Sequence, residues 1–318
     1  MLTRILITLG MIAAAASTAV AADSLKVAVS QRGFWDSSFV EFAQKEGFFK
    51  EAGLDVEFFY TDGGAATLQT VTSASVDIGM SNGLLGAIGA YVKGAPIRAV
   101  SAQMTGAHEL FWYVKADSKL RSLKDADDKT VAFSSPGSSS NLILLSLLKR
   151  ANSKAKPVAT GGLPATLTQV MTGQIDIGWA VPPFALKELQ EKQIAIIARA
   201  NEAIDLKDQT IRVNLANVET LKSRRDAITR FMRVYDRTIE WSYADPRAID
   251  YFAEAAKVPR AIAKQAVDEF YPKAALQIGE IRGLELTLKD ALQYKFIAAP
   301  ATPADIAGLL DIVYKPTR

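Results

Sequence analysis

Two stretches of this chain carry the same residues at a constant separation of 99 positions. The matched positions, each followed by its counterpart in the second stretch, are Thr61 and Thr160, Gly63 and Gly162, 66–68 (Ala-Thr-Leu) and 165–167, and 76–79 (Val-Asp-Ile-Gly) and 175–178 (Ile-Asp-Ile-Gly). A register kept over this many positions indicates two similar structural units. A unit of this length that occurs only twice is not the short-period repeat of a solenoid.

Each unit is predicted to alternate strands with helices. Ser38 followed by Glu41 has the spacing of a capping box, which predicts the start of a helix. Gly47 is a natural end for that helix. Such alternation predicts parallel sheets with helices on both faces. The predicted elements are strand 25–29, the helix ending at Gly47, strand 54–60, helix 65–73 and strand 76–80 in the first unit, and strand 131–134, helix 141–150, a strand near 157–160, helix 164–172 and strand 175–180 in the second.

The remaining sequence predicts two connections and a helical end. Residues 109–115 and 210–215 are predicted strands that cross between the units. The chain after residue 215 is predicted to be helical, with breaks at Pro246 and Pro259. The helices predicted there are 224–244, 246–257, 260–271 and 303–314.

Residues 1–22 have the pattern of a secretory signal peptide. Arg4 supplies a positive charge, residues 5–16 are apolar, and small residues precede the end of the segment. The apolar run is shorter than the roughly 20 residues that a membrane-spanning helix needs. We expect cleavage after Ala21 or Ala22. Because no cysteine is present to carry a lipid anchor, and an outer membrane retains exported proteins that lack one, we expect a periplasmic location.

Composition excludes several classes of site. The 318 residues contain no cysteine, which excludes disulfides, iron–sulfur clusters and thiol catalysis. His108 is the only histidine, which argues against a transition-metal site, and we expect neither a metal nor a cofactor. The net charge of +3 gives no support for binding to nucleic acid or to a membrane surface.

Four motifs together carry a family resemblance. They are 42–56 (Phe-Ala-Gln-Lys-Glu-Gly-Phe-Phe-Lys-Glu-Ala-Gly-Leu-Asp-Val), Asp62-Gly63-Gly64 with the helix leading to 76–79, 122–126 with 129–132, and 173–176 with the later Pro182-Pro183-Phe184. This set resembles the binding proteins of the nitrate/sulfonate/taurine class of ABC importers, which share a fold with binders of thiamine-pyrimidine precursors. Asp127 and Asp128 stand where that family usually has a glycine. The resemblance runs from Leu25 to the C-terminus and specifies no ligand.

The resemblance implies an α/β, type II periplasmic-binding-protein fold. Each of two lobes would be a sheet flanked by helices, with two crossing strands joining the lobes and a small-molecule ligand held between them. It also implies ABC permease and ATPase subunits as partners, and we expect a monomer. The chain would divide into a signal peptide at 1–22, a discontinuous first lobe at 23–112 and 211–318, and a second lobe at 113–210.

Candidate ligand-binding residues follow the strands, because open α/β sheets bind ligands beyond the carboxyl ends of their strands. The serines at 138–140 precede an apolar helix, and three hydroxyls exceed the one that N-capping needs. Trp35 and Trp179 would sandwich a planar ligand, unless either ring packs beneath its own loop. Arg32 would pair with an anionic group, unless it is a solvated rim charge. The candidates are Gln31, Arg32, Trp35, Ser81, Asn82, Ser134, Ser138, Ser139, Ser140 and Trp179, together with His108 and Arg212 near the crossing strands.

Asp77 and Asp176 occupy matched positions of the two units. A pair of carboxylates suggests acid–base chemistry, but these two lie in separate units beside predicted strands. We predict that each accepts hydrogen bonds from local backbone at a strand start. No catalytic residue is assigned.

The leading interpretation is a solute-binding protein, not an enzyme, that captures a small organic anion such as a sulfonate or carboxylate. The alternatives are a binder of a neutral, pyrimidine-like thiamine precursor, an enzyme of the same fold, and a ligand sensor for a membrane receptor. Pyrimidine-forming enzymes of this fold carry a cysteine-rich iron motif, which this chain lacks. The menaquinone-type enzymes of this fold lack export signals.

Overall fold

The computed structural model describes residues 22–316. The predicted signal peptide and its cleavage site therefore lie outside the described residues. Within residues 22–316, no helix has both the length and the apolar character needed to cross a bilayer.

The described part of the chain contains ten strands. In chain order they are β1 (Asp23–Ser30), β2 (Leu54–Thr61), β3 (Ile78–Gly83), β4 (Ile97–Thr105), β5 (Phe111–Lys115), β6 (Thr130–Phe133), β7 (Lys156–Ala159), β8 (Gly178–Ala180), β9 (Ile194–Arg199) and β10 (Thr210–Asn217).

The first sheet has the strand order β2-β1-β3-β10-β4. Strand β1 runs parallel to β2 and β3, whereas β10 runs antiparallel to both β3 and β4. Leu25, Val27 and Val29 of β1 are at most 1% exposed. Strand β1, which is paired on both sides, therefore contributes to the core of the first sheet.

The second sheet repeats that order. Strand β5 pairs antiparallel with β8 and β9, and β6 pairs parallel with β7. A parallel bridge from Val131 in β6 to Ile177, directly before β8, joins the two groups. The combined order is β7-β6-β8-β5-β9, with β5 in the place that β10 takes in the first sheet. The predicted duplication is confirmed by this topology.

The prediction of parallel sheets is wrong for the crossing strands β5 and β10. Each arrives directly from the other sheet, without the helical crossover that a parallel neighbour requires. Both therefore lie antiparallel to their neighbours, and each sheet is mixed.

Helices cover the sheets. Those in the described part are α1 (Phe39–Lys45), α2 (Phe48–Glu51), α3 (Gly64–Thr72), α4 (Leu84–Val92), α5 (Ser139–Ala151), α6 (Leu163–Met171), α7 (Leu186–Gln190), α8 (Val218–Ala244), α9 (Arg247–Ala256), α10 (Arg260–Phe270) and α11 (Leu284–Gln293). The predicted breaks at Pro246 and Pro259 are confirmed. Helix α8 is kinked at Arg224, where the predicted helix begins. The additional segment before the kink starts where Asn217 accepts a hydrogen bond from Glu219 N. The sequence patterns did not predict α11.

Two local predictions are wrong. Ser38 does not form a capping box, because its hydroxyl donates to Phe34 O at 2.7 Å. The predicted helix 303–314 is a single 3-10 turn, Ala307–Leu309, followed by extended chain. The extended chain donates backbone hydrogen bonds to Ala99 O and Val100 O of β4. The open edge of β4 offers unpaired carbonyls, and the C-terminal segment satisfies them.

The architecture is an α/β fold of two sheets flanked by helices, and the predicted fold class is confirmed. The chain passes from β4 in the first sheet to β5 in the second, and returns from β9 to β10. These two passages place the carboxyl ends of strands from both sheets around one cavity.

Candidate ligand-binding site

A small cavity lies where strand ends of the two sheets meet. The atom-free space between its walls is about 390 Å³, part of which is open to solvent. Its walls come from both halves of the repeat, and seven of the fifteen lining residues are serines. The lining residues are Ser30, Gln31, Phe34, Ser37, Gly63, Gly64, Ser81, Gly83, Leu110, Ser134, Ser138, Ser139, Ser140, Trp179 and Arg212.

The structure brings eight of the twelve candidate residues together at this cavity. They are Gln31, Ser81, Ser134, Ser138, Ser139, Ser140, Trp179 and Arg212. The other four, Arg32, Trp35, Asn82 and His108, lie outside its walls.

Two lining residues of the first half have left-handed backbone conformations. The φ angle is 54° at Gln31 and 60° at Ser81. Residues other than glycine are uncommon in this region, and those that persist there cluster at ligand-binding sites. Ser81 is held by its backbone N–H, which donates to the Asn214 side chain at 3.1 Å.

The serines at the start of α5 do different work. Ser138 is the N-cap and accepts a hydrogen bond from Asn141 N at 3.2 Å. Ser140 accepts from Ser134 N and donates to Ser134 Oγ, so it ties the end of β6 to the helix. Ser139 takes no part in capping. Capping therefore accounts for only one of the three hydroxyls.

The backbones of the two halves approach closely beside the cavity. A Cβ added to Gly83, at the end of β3, would lie 2.2 Å from Gly137 O in the serine loop. Gly86 N also donates to Gly137 O, at 3.1 Å. Only glycine permits this contact at position 83, and it seals one side of the cavity.

Arg212 on β10 is the one charged residue in the cavity wall of the described chain, and it is 5% exposed. Its Nη1 donates to Asp36 Oδ2 at 2.8 Å, and its Nη2 donates to Glu109 Oε1. Its Nε donates to Ser139 Oγ at 2.8 Å. The last bond crosses from the first sheet to α5 of the second half. Arg212 therefore joins the two halves through a buried group of one cation and two carboxylates.

The environment alters the ionisation of this group. Burial raises the pKa of Glu109 above its ordinary value, and the charge of Arg212 opposes only part of that rise. Burial lowers the pKa of Arg212, but Glu109 and Asp36 raise it further, so its pKa lies above the ordinary value. Arg212 therefore keeps its proton at any physiological pH.

Several lining side chains retain unused donors. Ser81 Oγ and Trp179 Nε1 have no hydrogen-bond partner within residues 22–316. The hydroxyls of Ser134 and Ser139 accept hydrogen bonds from protein groups but donate none in that range. Leaving a buried donor unsatisfied costs about 1–3 kcal/mol. The cavity therefore presents donors to an occupant that carries acceptors.

The prediction that Trp35 and Trp179 sandwich a ligand is wrong, because Trp35 does not line the cavity. It is fully buried and packs edge to face against four aromatic rings, 5.2–5.6 Å between centroids. These partners are Phe39, Phe42, Tyr243 and Phe252. A pair of tryptophan faces across the cavity does not form, because only Trp179 lines it.

The other three outlying candidates also have local partners. Arg32 lies 4.5 Å from the ring centroid of Tyr60, at the solvent-open groove described next. Asn82 is fully buried and donates to Gly79 O at 2.8 Å. The backbone N–H of His108 faces the Glu109 carboxylate at 3.4 Å. None of these three side chains reaches the cavity wall.

A wider groove adjoins the cavity through the shared residues Gln31 and Phe34. It holds about 1880 Å³ of space open to solvent. Apolar residues from both halves line part of it, including Leu163, Phe184 and Ile262. The groove and the cavity therefore share part of their walls.

Sequence reasoning missed the two buried carboxylates, Asp36 and Glu109. A signal was present, since Arg212 lies within a strand of otherwise uncharged residues. A charge buried in such a strand requires a buried partner. Asp36 and Glu109 directly adjoin the candidate positions Trp35 and His108.

Asp77 and Asp176 belong to the scaffold. Asp77 Oδ2 accepts from Lys26 N at 2.7 Å, and Asp176 Oδ2 accepts from Thr130 N at 2.9 Å. Both bond backbone as predicted, but the prediction of local backbone is wrong, because the two donors lie on neighbouring strands, 51 and 46 residues away in the chain. No group of three or more His, Asp or Glu side chains within residues 22–316 is arranged to hold a metal ion.

The sequence profile of the family described as NMT1/THI5 like matches residues 36–249, more than half of the chain. The chain belongs to the NMT1/THI5-like family. The predicted family resemblance is confirmed by this match and by the solved structures that share the fold. No curated protein matches this family member in sequence.

Three solved structures illustrate that similarity. The alkanesulfonate-binding protein SsuA of Xanthomonas axonopodis pv. citri, bound to MOPS, superposes with a TM-score of 0.76 at 16% identity, covering 92% of this chain and 100% of its own. The aliphatic sulphonate-binding protein SsuA of Escherichia coli has a TM-score of 0.71 at 18% identity, covering 93% of each chain. The nitrate-binding protein NrtA of Synechocystis PCC 6803 has a TM-score of 0.70 at 13% identity, covering 91% of this chain and 85% of its own. At these identities the similarity shows the shared fold.

Proposed function

We propose that this NMT1/THI5-like protein is the exported solute-binding component of an ABC importer. It holds a small solute in the cavity between the two sheets and delivers it to a permease without changing it chemically. The observation that carries this proposal is a cavity walled by hydroxyl and indole donors from both halves of the repeat. Within that wall no nucleophile is paired with a general base, which an enzyme of the same fold would need.

The relatives support the transport role. Three solved structures with this fold are named for binding alkanesulfonate, aliphatic sulphonate or nitrate, and two of those names place the protein in the periplasm. The apolar, Arg4-containing N-terminal segment supports export. Together they favour a periplasmic location and ABC permease and ATPase subunits as partners. We also propose that the protein acts as a monomer when it docks on the permease.

The two sheets give the proposal a mechanism. We divide the chain into a first lobe at 23–112 and 211–318 and a second lobe at 113–210. Two narrow passages can bend while the packed cores cannot, so the lobes close on the solute as hinged bodies. Ligand contacts from both lobes favour the closed state because only closure completes them.

The sequence left two classes of solute open, a small organic anion and a neutral ring. The serine-rich N-terminus of α5 supports a small organic anion, because free N–H groups there attract negative charge. The unused donors of Ser81 and Trp179 equally suit a neutral ring with acceptor atoms. The Ser139 hydroxyl is available to donate to a solute of either class, because it lies in the cavity wall and donates to no residue in the described range.

Isolation from a periplasmic fraction tests the proposal. Native mass spectrometry is expected to show a mature chain that begins at Ala22 or Asp23 and carries a solute. After release, the solute should be chemically intact and its return should reduce the radius of gyration in solution scattering. Chemical turnover of the solute would favour an enzyme instead.

A matched pair of variants then locates the site. Ser139→Ala should weaken solute binding by about 0.5–1.5 kcal/mol, the value of one hydrogen bond. Ser146→Ala is the control, since its hydroxyl lies further along α5 and donates to Asp205 outside the cavity. Calorimetry that finds equal affinities for the two variants would place the solute elsewhere.

A further inference from the structure

The charge around the cavity does not match an anionic solute. Arg212 is the one charged lining residue of the described chain, and Asp36 and Glu109 both bind its guanidinium. The two carboxylates are 1% and 0% exposed, so water screens neither of them. With both ionised, the three groups carry a net charge of −1. With Glu109 protonated, they are neutral, and in neither state is a positive charge left over.

Arg212 can still recognise a solute through hydrogen bonds. Its guanidinium has five N–H donors, of which three reach Asp36, Glu109 and Ser139. The remaining donors add to those of Ser81 and Trp179, whose polar atoms have no partner in the described chain. The wall therefore offers several donors without offering net positive charge.

We propose, building on the solute-binding function above, that the cavity selects a neutral solute with carbonyl-type acceptor oxygens over the corresponding anion. The residues that set this choice are Asp36 and Glu109, which neutralise Arg212 from behind the cavity wall. The chemical class is thus an uncharged amide-like or ring carbonyl compound.

Two solutes of the same shape, one anionic and one neutral, differ in how strongly water hydrates them. An anion that enters a buried site loses its hydration, and only an opposite charge or many strong hydrogen bonds offset that loss. With both carboxylates ionised, the roughly half positive charge at the N-terminus of α5 does not offset the net negative charge of the Arg212 group. A neutral carbonyl loses far less hydration and satisfies the same donors. A cation would leave those donors unsatisfied.

Three probes of nearly equal shape test this inference. Benzamide is neutral, benzoate is an anion and benzamidinium is a cation. Their affinities for the protein freed of co-purified solute are measured by calorimetry at neutral pH. We expect benzamide to bind at least about tenfold more tightly than either charged probe, given the strength of charge interactions in a buried site.

Variants assign the selection to the carboxylates. Glu109→Gln keeps the shape of the side chain and removes its charge, so benzoate should bind about tenfold more tightly while benzamide changes by less than about threefold. Asp36→Asn should act in the same direction, and it serves as the second variant if the first does not fold. Asp55→Asn makes the same change of charge on an exposed residue of β2 and should alter neither affinity.

The outcomes separate the inference from the function. Tighter binding of benzoate or benzamidinium than of benzamide to the unmodified protein overturns the neutral selectivity and leaves solute binding intact. Selectivity for benzamide that neither Glu109→Gln nor Asp36→Asn alters overturns the role of the carboxylates. Absence of binding for all three probes, with no co-purified solute, overturns the proposed function and the inference with it.

Discussion

The two halves of the repeat share one pattern of threonine hydrogen bonds but contribute different residues to the cavity. In the first half, the hydroxyls of Thr61 and Thr67 are 2.7 Å apart. In the second, those of Thr160 and Thr166 are 2.6 Å apart. Each pair links the end of a strand to the next helix, and each later threonine also donates to a glycine carbonyl.

The residues around the cavity, in contrast, differ between the two halves. The first half contributes two strained residues, Gln31 and Ser81, and the buried Asp36. The second half contributes the hydroxyls that begin α5 and the indole of Trp179. The shared bonds satisfy backbone and side-chain groups that exist whatever the ligand is. The scaffold is therefore duplicated, whereas the recognition chemistry is divided between the halves.

The largest difference should come from the buried ion group. Arg212→Met leaves Asp36 and Glu109 without a cation and should destabilise the fold by about 3–5 kcal/mol, because uncompensated buried charges are costly. Arg150→Met removes a second-half pair with Asp205 that is 40–45% exposed, and should cost less than about 1 kcal/mol. Urea denaturation measures both, and similar losses would show that burial does not distinguish the pairs.

The next-largest difference in stability is expected between alanine variants of the matched glycines, Gly79 and Gly178. A Cβ on Gly79 would lie 2.4 Å from Val71 Cγ2, and one on Gly178 would lie 2.4 Å from the ring of Tyr113. Both alanine variants should be destabilised by about 1–3 kcal/mol through overpacking. Gly178→Ala should lose more, because a buried ring in a sheet yields less than a helix side chain.

A second substitution checks the cause. Val71→Ala should restore part of the stability of Gly79→Ala, because it removes the methyl group in the way. It should not restore Gly178→Ala. Rescue of both variants by Val71→Ala would contradict a local steric origin.

The paired threonines give a smaller contrast. Both Thr67 and Thr166 are fully buried, but Thr67 additionally meets the hydroxyl of Ser30 at 2.8 Å. Thr67→Val should therefore cost about 1–3 kcal/mol and Thr166→Val about 0.5–1.5 kcal/mol. Thermal unfolding at one pH compares them. A larger loss at Thr166 would show that the additional bond in the first half adds no stability.

The smallest effect concerns pH and Asp176. Burial raises its pKa, but hydrogen bonds from Thr130 and the charge of Lys129 lower it further, so the pKa lies below its ordinary value. A lowered folded-state pKa contributes stability above the unfolded pKa of about 4, and this is lost as pH falls through the folded value. Since the side chain is 38% exposed, water screens the effect.

Asp176→Asn should therefore cost less than about 1 kcal/mol at pH 7. It should also flatten the fall in stability below about pH 4. Asp77→Asn, its counterpart, replaces the charged acceptor of Lys26 N with a neutral amide oxygen and should cost a similar amount at pH 7. Stability curves that keep the same acid slope in Asp176→Asn would assign that slope to other carboxylates.

The sequence determined the parts of this protein that depend on local pattern. The repeat at 99 positions predicted two units of the same topology. Helix breaks at Pro246 and Pro259 follow from the geometry of proline. Serine residues ahead of an apolar helix predicted the position of α5 beside the cavity, because the carboxyl end of a strand and the next helix start are close in any α/β unit.

Only the tertiary structure decided which side chains meet. Trp35 and Trp179 look alike in sequence, yet one is enclosed by four rings and the other lines the cavity. Arg212 meets Asp36 and Glu109 across separations of 176 and 103 residues. Periodicity describes which face of an element is buried. It does not describe which residue of a distant element lies opposite. A buried charged group without a partner is strongly destabilising, so these long-range pairings matter. The charge of the cavity was therefore decided by long-range packing and could not be read from the sequence.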